Sequence, residues 1–134
     1  MEKLVIEEGR RTPEIIFSPE ENHFCIRGTS APEDVRAMYY PVIEWFKGFK
    51  EELIKDGKNN GMDTLVFQMD LMYFNSSSAK FFYDLLTELK DISASGLPVK
   101  VEWYYEEEDT DMKEAGMDFA EMLEMDFVYI EKPS

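Results

Sequence analysis

Apolar residues recur along the chain with two periods, and the places where the period changes mark the elements. Residues 4–6, 14–18 and 23–27 are short β-prone runs. Pro19, Glu20, Glu21 and Asn22 form a turn-like tetrapeptide between the last two, which predicts a hairpin with residues 4–6 as an added edge strand. Ser30 and Pro32 have the composition of a helix start. From Val35 the apolar positions Val35, Met38, Tyr39, Val42, Ile43, Phe46, Phe49 and Leu53 recur every three or four residues, which is one face of a helix. Pro41 lies inside this pattern and has no backbone N–H, so it predicts a kink or the first turn of the main segment. Residues 56–61, rich in Asp, Asn and Gly, end the helix in a loop.

Residues 64–69 are strongly apolar and continue through Leu71 to Phe74, a pattern that suits a strand buried on both faces. Asn75, Ser76, Ser77 and Ser78 break it. A second helix follows, with Phe81, Phe82, Leu85, Leu86 and Leu89 on its inner face and a close near Gly96 and Pro98. Residues 99–105 form a third long strand, 111–122 a third helix and 127–130 a last strand. Strands alternating with helices build a mainly parallel sheet through right-handed crossovers. The expected fold is therefore α/β: one domain over residues 1–134, an N-terminal β-hairpin, then alternating helices and strands in a mixed, mainly parallel sheet.

Charge narrows the partners. Lys and Arg number 14 against 29 Asp and Glu, a formal net charge of −15. Such a surface repels phosphate backbones and anionic lipid, so nucleic acid and membrane are not expected partners. Solubility alone explains most acidic surfaces; a basic face on a protein partner is the sharper explanation. Cys25 is the one cysteine, which excludes an internal disulfide and points to a reducing, cytoplasmic setting. In its apolar surroundings it is expected to be a buried, inert thiol. The first eight residues carry acids rather than the basic region of a secretory signal, and no apolar run is long enough to span a membrane.

Catalytic patterns are missing. The lone histidine, His23, falls on the hairpin, and no nucleophile elbow, dinucleotide loop or phosphate loop is present. No Cys/His set has zinc spacing, and the acidic run 106–109 with Asp111 lacks the spacing and glycine of a calcium loop. No catalytic residue, metal site or cofactor is expected. Met112, Met117, Met122 and Met125 crowd the last helix and its exit. Met fills cores and also suits adaptable binding surfaces; core is the reading for most of the nine, as it is for Trp103, Tyr104 and Tyr105, with alternate rings on opposite sides of the strand. Asn75, Ser76, Ser77 and Ser78 are the site of interest. Helix capping is their ordinary role. Yet they sit at the carboxyl end of a central strand, where open α/β sheets place ligand crevices, beside a helix N-terminus that favours negative charge.

Tyr73, Phe74, Asn75, Ser76, Ser77, Ser78, Ala79 and Lys80 together resemble the Asn-Thr-Ser-Ser motif of the SiaC family of bacterial regulatory phosphoproteins. Further similarity lies in residues 28–33, 40–45, 103–106 and 111–119, so it spans nearly the whole chain. The resemblance implies a fold like the STAS domain of anti-sigma factor antagonists. It also implies phosphorylation on the first hydroxyl after the asparagine, here Ser76, by a dedicated Ser/Thr protein kinase and its reversal by a PP2C-type phosphatase. In the best-known system the unphosphorylated protein binds and activates a diguanylate cyclase, raising cyclic di-GMP and promoting biofilm formation. The family usually carries threonine where this chain has Ser76; serine keeps the reacting hydroxyl.

The expected switch surface is Asn75, Ser76, Ser77 and Ser78 with the adjoining second helix and Lys80, and the expected function is non-enzymatic. The amides of Ser77 and Ser78 are candidates to stabilise a phosphate on Ser76. Two alternatives stand beside it: a scaffold in which the serines only cap the helix, and a small-anion or phosphate-ester enzyme, for which Asp70 is the one obvious nearby acid.

Overall fold

The computed structural model describes residues 1–57 and 59–133; Lys58, within the loop expected over 56–61, and Ser134 lie outside the described residues. Strand β1 (Leu4–Ile6), β2 (Glu14–Ser18) and β3 (His23–Ser30) run antiparallel. Helix α1 (Val35–Asp56), β4 (Leu65–Phe74), α2 (Ser76–Ala94), β5 (Val99–Glu106), α3 (Thr110–Leu123) and β6 (Phe127–Lys132) follow. β3, β4, β5 and β6 are parallel, and the six strands lie side by side in chain order. The mixed, mainly parallel sheet expected from the periodicity is therefore present.

The helix start expected at Ser30 and Pro32 lies further on. β3 continues to Ser30, and Asp34 caps α1 by accepting a hydrogen bond from the Ala37 amide at 3.0 Å. Pro41 lies within α1, which continues to Asp56 and closes with Gly57 in the left-handed region, φ 69°.

A sheet in sequential order with right-handed crossovers places all its helices on one face. That overturns the expectation that β4 is buried on both faces. Leu65, Phe67, Met69 and Leu71 are buried beneath the helices, whereas the intervening Val66, Gln68 and Asp70 are only half-buried and Met72 is 62% exposed. Register aligns Phe24, Phe67 and Val101 across the covered face, and Ile26, Met69 and Trp103 beside them. Phe17, Phe24, Phe46 and Phe67 pack there with ring centroids 5.5–6.5 Å apart. Lys50 on α1 ties to α2 through Glu88, Nζ–Oε2 2.6 Å, and Asp91, 3.2 Å.

The uncovered face is a polar layer. Gln68 donates to Glu102 at 3.0 Å and to the Tyr104 hydroxyl at 3.1 Å, while Arg27 pairs with Glu14 and Lys132 with Asp70. Cys25 sits among these residues but is 6% exposed, and burial pushes its thiol up to about 11. Because the folded value exceeds that of an open chain, this group favours folding fully below about pH 8.5 and loses its contribution as pH rises towards 11. A maleimide at pH 8 is expected to label the native protein at least about tenfold more slowly than the urea-unfolded chain. Equal rates would contradict the buried thiol.

Methionine burial is split. Met62, Met69 and Met112 are core, and Met38 and Met125 pack against it. Met1, Met72, Met117 and Met122 are about half exposed or more, which corrects the core expectation for Met117 and Met122. His23 is exposed at the start of β3. Among the described residues no helix is long and apolar enough to cross a membrane.

Candidate functional site

The site forms where β3 and β4 end together. Ser30 pairs in register with Phe74, and the ladder continues one step as the Asn75 amide donates to the Ser30 carbonyl at 3.0 Å. Gly28 pairs with Leu71 but Thr29 pairs with Tyr73, so Met72 is an extra residue on β4. Such a bulge re-aims the side chains beyond it. Phe74 accordingly turns under the helices, against Phe82, Trp103 and Phe119, and the chain enters α2 directly.

Asn75 is the cap of α2; its side-chain oxygen accepts from the Ser78 amide at 2.9 Å. Ser76 and Ser77 are the first two helical residues and both are exposed. Their amides are among those a helix start leaves without an intrahelical acceptor. The Ser78 amide, expected to be free for a phosphate, is instead taken by Asn75.

Ser78 is fully buried, which corrects the expectation that it lies on an exposed surface: it is a strut beneath the exposed Ser76 and Ser77. Its hydroxyl donates to the Ser30 carbonyl at 3.0 Å and accepts from the Ser30 hydroxyl at 2.8 Å. The Ser30 hydroxyl has then spent its proton, so Tyr39 is the donor across the 2.6 Å contact to Ser30. Three buried hydroxyls thus form one directed chain, from Tyr39 to Ser30 to Ser78 and on to the Ser30 carbonyl. Phe81 and Phe82 lie against the Tyr39 ring at 5.8 and 5.6 Å, and burial pushes the Tyr39 phenol up to about 12, so it stays a neutral donor at ordinary pH. The chain ties the first turn of α2 to β3 and α1. Ser30 and Tyr39 were not legible as partners of the serine motif, since no local pattern distinguishes a hydroxyl that will be buried from one that caps a turn.

Ser78→Ala is expected to cost about 1–3 kcal/mol, because it strands the Ser30 hydroxyl without its acceptor in a dry setting. Urea unfolding checks this; a loss below about 0.5 kcal/mol would show the chain to be incidental.

Lys80 is exposed one turn beyond Ser76, its ammonium 5.3 Å from the Phe81 ring centroid. Asp70 points from the uncovered face, paired with Lys132, whereas α2 lies on the covered face. The one nearby acid is therefore not in position to act as a base for Ser76. The acidic run 106–109 resolves into the end of β5, a turn, and Asp109, which caps α3 by accepting from the Met112 amide at 3.0 Å. Among the described residues no group of three acids, His or Cys is placed to hold a metal ion.

The whole chain has known counterparts. The family model described as SiaC family regulatory phosphoprotein matches residues 6–132. An uncharacterized protein of Pseudomonas aeruginosa strain UCBPP-PA14 is 28% identical over 121 residues, covering 90% of each chain. The crystal structure of apo-SiaC from Pseudomonas aeruginosa superposes with a TM-score of 0.79 at 27% identity, covering 97% of this chain and 99% of that one. SiaC in the crystal structure of the diguanylate cyclase SiaD in complex with its activator, from the same organism, gives a TM-score of 0.81 at 26% identity, covering 96% and 99%. With nearly its full length matched by the family model, this chain belongs to the SiaC family of regulatory phosphoproteins.

Proposed function

We propose that the protein is a non-enzymatic, cytoplasmic bacterial switch. In its unphosphorylated form it binds and activates a diguanylate cyclase, raising cyclic di-GMP and favouring biofilm growth. Phosphorylation of Ser76 by a Ser/Thr protein kinase ends the interaction, and a PP2C-type phosphatase restores it. The observation that carries this is the division of labour within the motif. Asn75 and Ser78 are committed to the fold, whereas Ser76 and Ser77 are exposed on a clamped helix start, and among the described residues the Ser76 hydroxyl has no internal partner; the family motif favours Ser76 of the two. A scaffold whose serines only cap accounts for Asn75 and Ser78 but leaves Ser76 and Ser77 without a role. The complex of the Pseudomonas aeruginosa relative with a cyclase supports the class of partner.

The physical logic is differential. A phosphoryl group adds about −1.5 to −2 charges. The unpaired amides of the first turn and the helix dipole favour it locally, so the fold tolerates it. A partner surface closing over Asn75, Ser76, Ser77 and Lys80 must desolvate that charge, which costs binding energy. Protein purified from its native host is expected to carry one phosphate on Ser76, mapped by intact mass and peptide fragmentation, and to lose it in a kinase-deficient strain. Unmodified protein across growth conditions would favour the scaffold.

A further inference from the structure

Along α2 from Ser76 the helix walls an open apolar groove against α3. The groove, of about 520 Å³, is lined by Phe74, Ala79, Tyr83, Ala115, Phe119 and Met122. Tyr83 is 39% and Met122 58% exposed, so large apolar side chains stand uncovered here. Ser76 and Tyr83 are seven residues apart on α2, two turns, and share one face. The proposed phosphoacceptor therefore heads the stripe that forms one wall.

The rims carry opposite charge. Lys80 lines the α2 side and makes no ion pair among the described residues. Asp118 lines the α3 side, and with Asp111 and Glu114 before it and Glu121 after it, at spacings of three and four and all exposed, it forms an acidic ridge. Ala79 and Ala115 leave room for a large incoming side chain, and Met122 adapts to its shape. Both walls are helices, which offer an extended peptide no unpaired strand edge; the form that fits is a helix laid in the groove.

We propose that the α2–α3 groove docks an amphipathic helix of the partner. Its apolar stripe fills the groove, basic residues face the α3 ridge and an acidic residue faces Lys80. The inference rests on the proposed switch and gives it a mechanism. A phosphate on Ser76 lies one turn from Lys80 on the same face, takes the ammonium as its own counter-ion, and opposes the partner's acid with like charge. The acidic ridge is untouched, so the register of the docked helix is lost at one rim.

The test uses a synthetic 20-residue helical peptide with leucines at i, i+3, i+4 and i+7, lysines on one flank and a glutamate on the other, labelled for anisotropy. The protein is expected to bind it, and Met122→Glu, at an exposed position, to weaken binding by about tenfold or more. Asp118→Lys should reverse the preference towards a peptide with glutamates replacing the lysines. Failure to bind, or equal affinity when the leucines become serines, would overturn the proposal. So would concentration-dependent self-association abolished by Met122→Glu, which would assign the groove to a second copy. The same variant separates the two readings against a cyclase. If Met122→Glu leaves cyclase affinity intact while Ser76→Asp lowers it, the groove falls and the switch stands; the converse retains the groove and removes the switch.

Discussion

Ser76→Asp is expected to weaken binding of a diguanylate cyclase by about tenfold or more, roughly 1.4 kcal/mol, while Ser76→Ala stays within about twofold of the parent. The asymmetry follows from the site. Ser76 is exposed and its hydroxyl holds no other element among the described residues, so removing it costs the fold little. A carboxylate there introduces a charge that water and the helix start accommodate in the free protein but that a closing interface has to strip of water. Aspartate carries less charge than phosphoserine, so protein with authentic phosphoserine at position 76 should show the larger loss. Calorimetric titration of the cyclase and its rate of cyclic di-GMP synthesis should fall together. Equal affinities of Ser76→Asp and Ser76→Ala would remove Ser76 from the mechanism. Both variants should unfold at the parent's urea midpoint, which separates a binding effect from a folding one.

Trp103→Ala is expected to be the most damaging single change in the core, at about 3–5 kcal/mol. Trp103 is 1% exposed and lies against Phe119 and Phe127 with ring centroids at 5.7 and 6.0 Å, and its indole N–H donates to the Met112 carbonyl at 2.9 Å. Gly116 is the counterpart of that ring: a Cβ added there would fall 2.6 Å from Trp103 Cδ1 and Nε1, a distance no packed pair sustains. α3 can approach β5 this closely because position 116 has no side chain. Gly116→Ala should therefore destabilise by about 1–3 kcal/mol through overpacking, although alanine is the better helix former. The double variant should be less unstable than the sum of the singles, since removing the indole makes room for the methyl. Additive losses would show that the two residues do not share this contact. Because α3 forms one wall of the groove, these variants should also lower helix-peptide affinity in step with α3's loosening.

The legibility of the chain follows the range of the forces that act on each residue. Helices α1, α2 and α3 and strands β2 and β5 follow from side-chain periodicity, which is local. The cap at Asn75 satisfies an amide three residues away, and so it too belongs to local chemistry. The parallel order follows from strand–helix alternation and the handedness of crossovers. The family resemblance pointed to Ser76 through the residues around it, and the family match now stands on nearly the full length.

What tertiary structure alone decided concerns which surfaces meet. The run from Leu65 to Phe74 is apolar enough for burial on both faces, but sequential strand order puts all the helices on one side and leaves Gln68, Asp70 and Met72 on the other. Met112 and Met122 are chemically identical, yet one is core and the other lines an open groove, because burial depends on what packs opposite and not on the residue. Ser78 and Ser76 stand two positions apart in one motif. A 48-residue separation in sequence closes to 2.8 Å between the Ser30 and Ser78 hydroxyls, and that long-range contact makes Ser78 a strut and leaves Ser76 facing water. Local pattern set the elements and the helix start; the partners across the sheet, which no short window contains, determined that Ser78 is buried while Ser76 and Ser77 stay exposed.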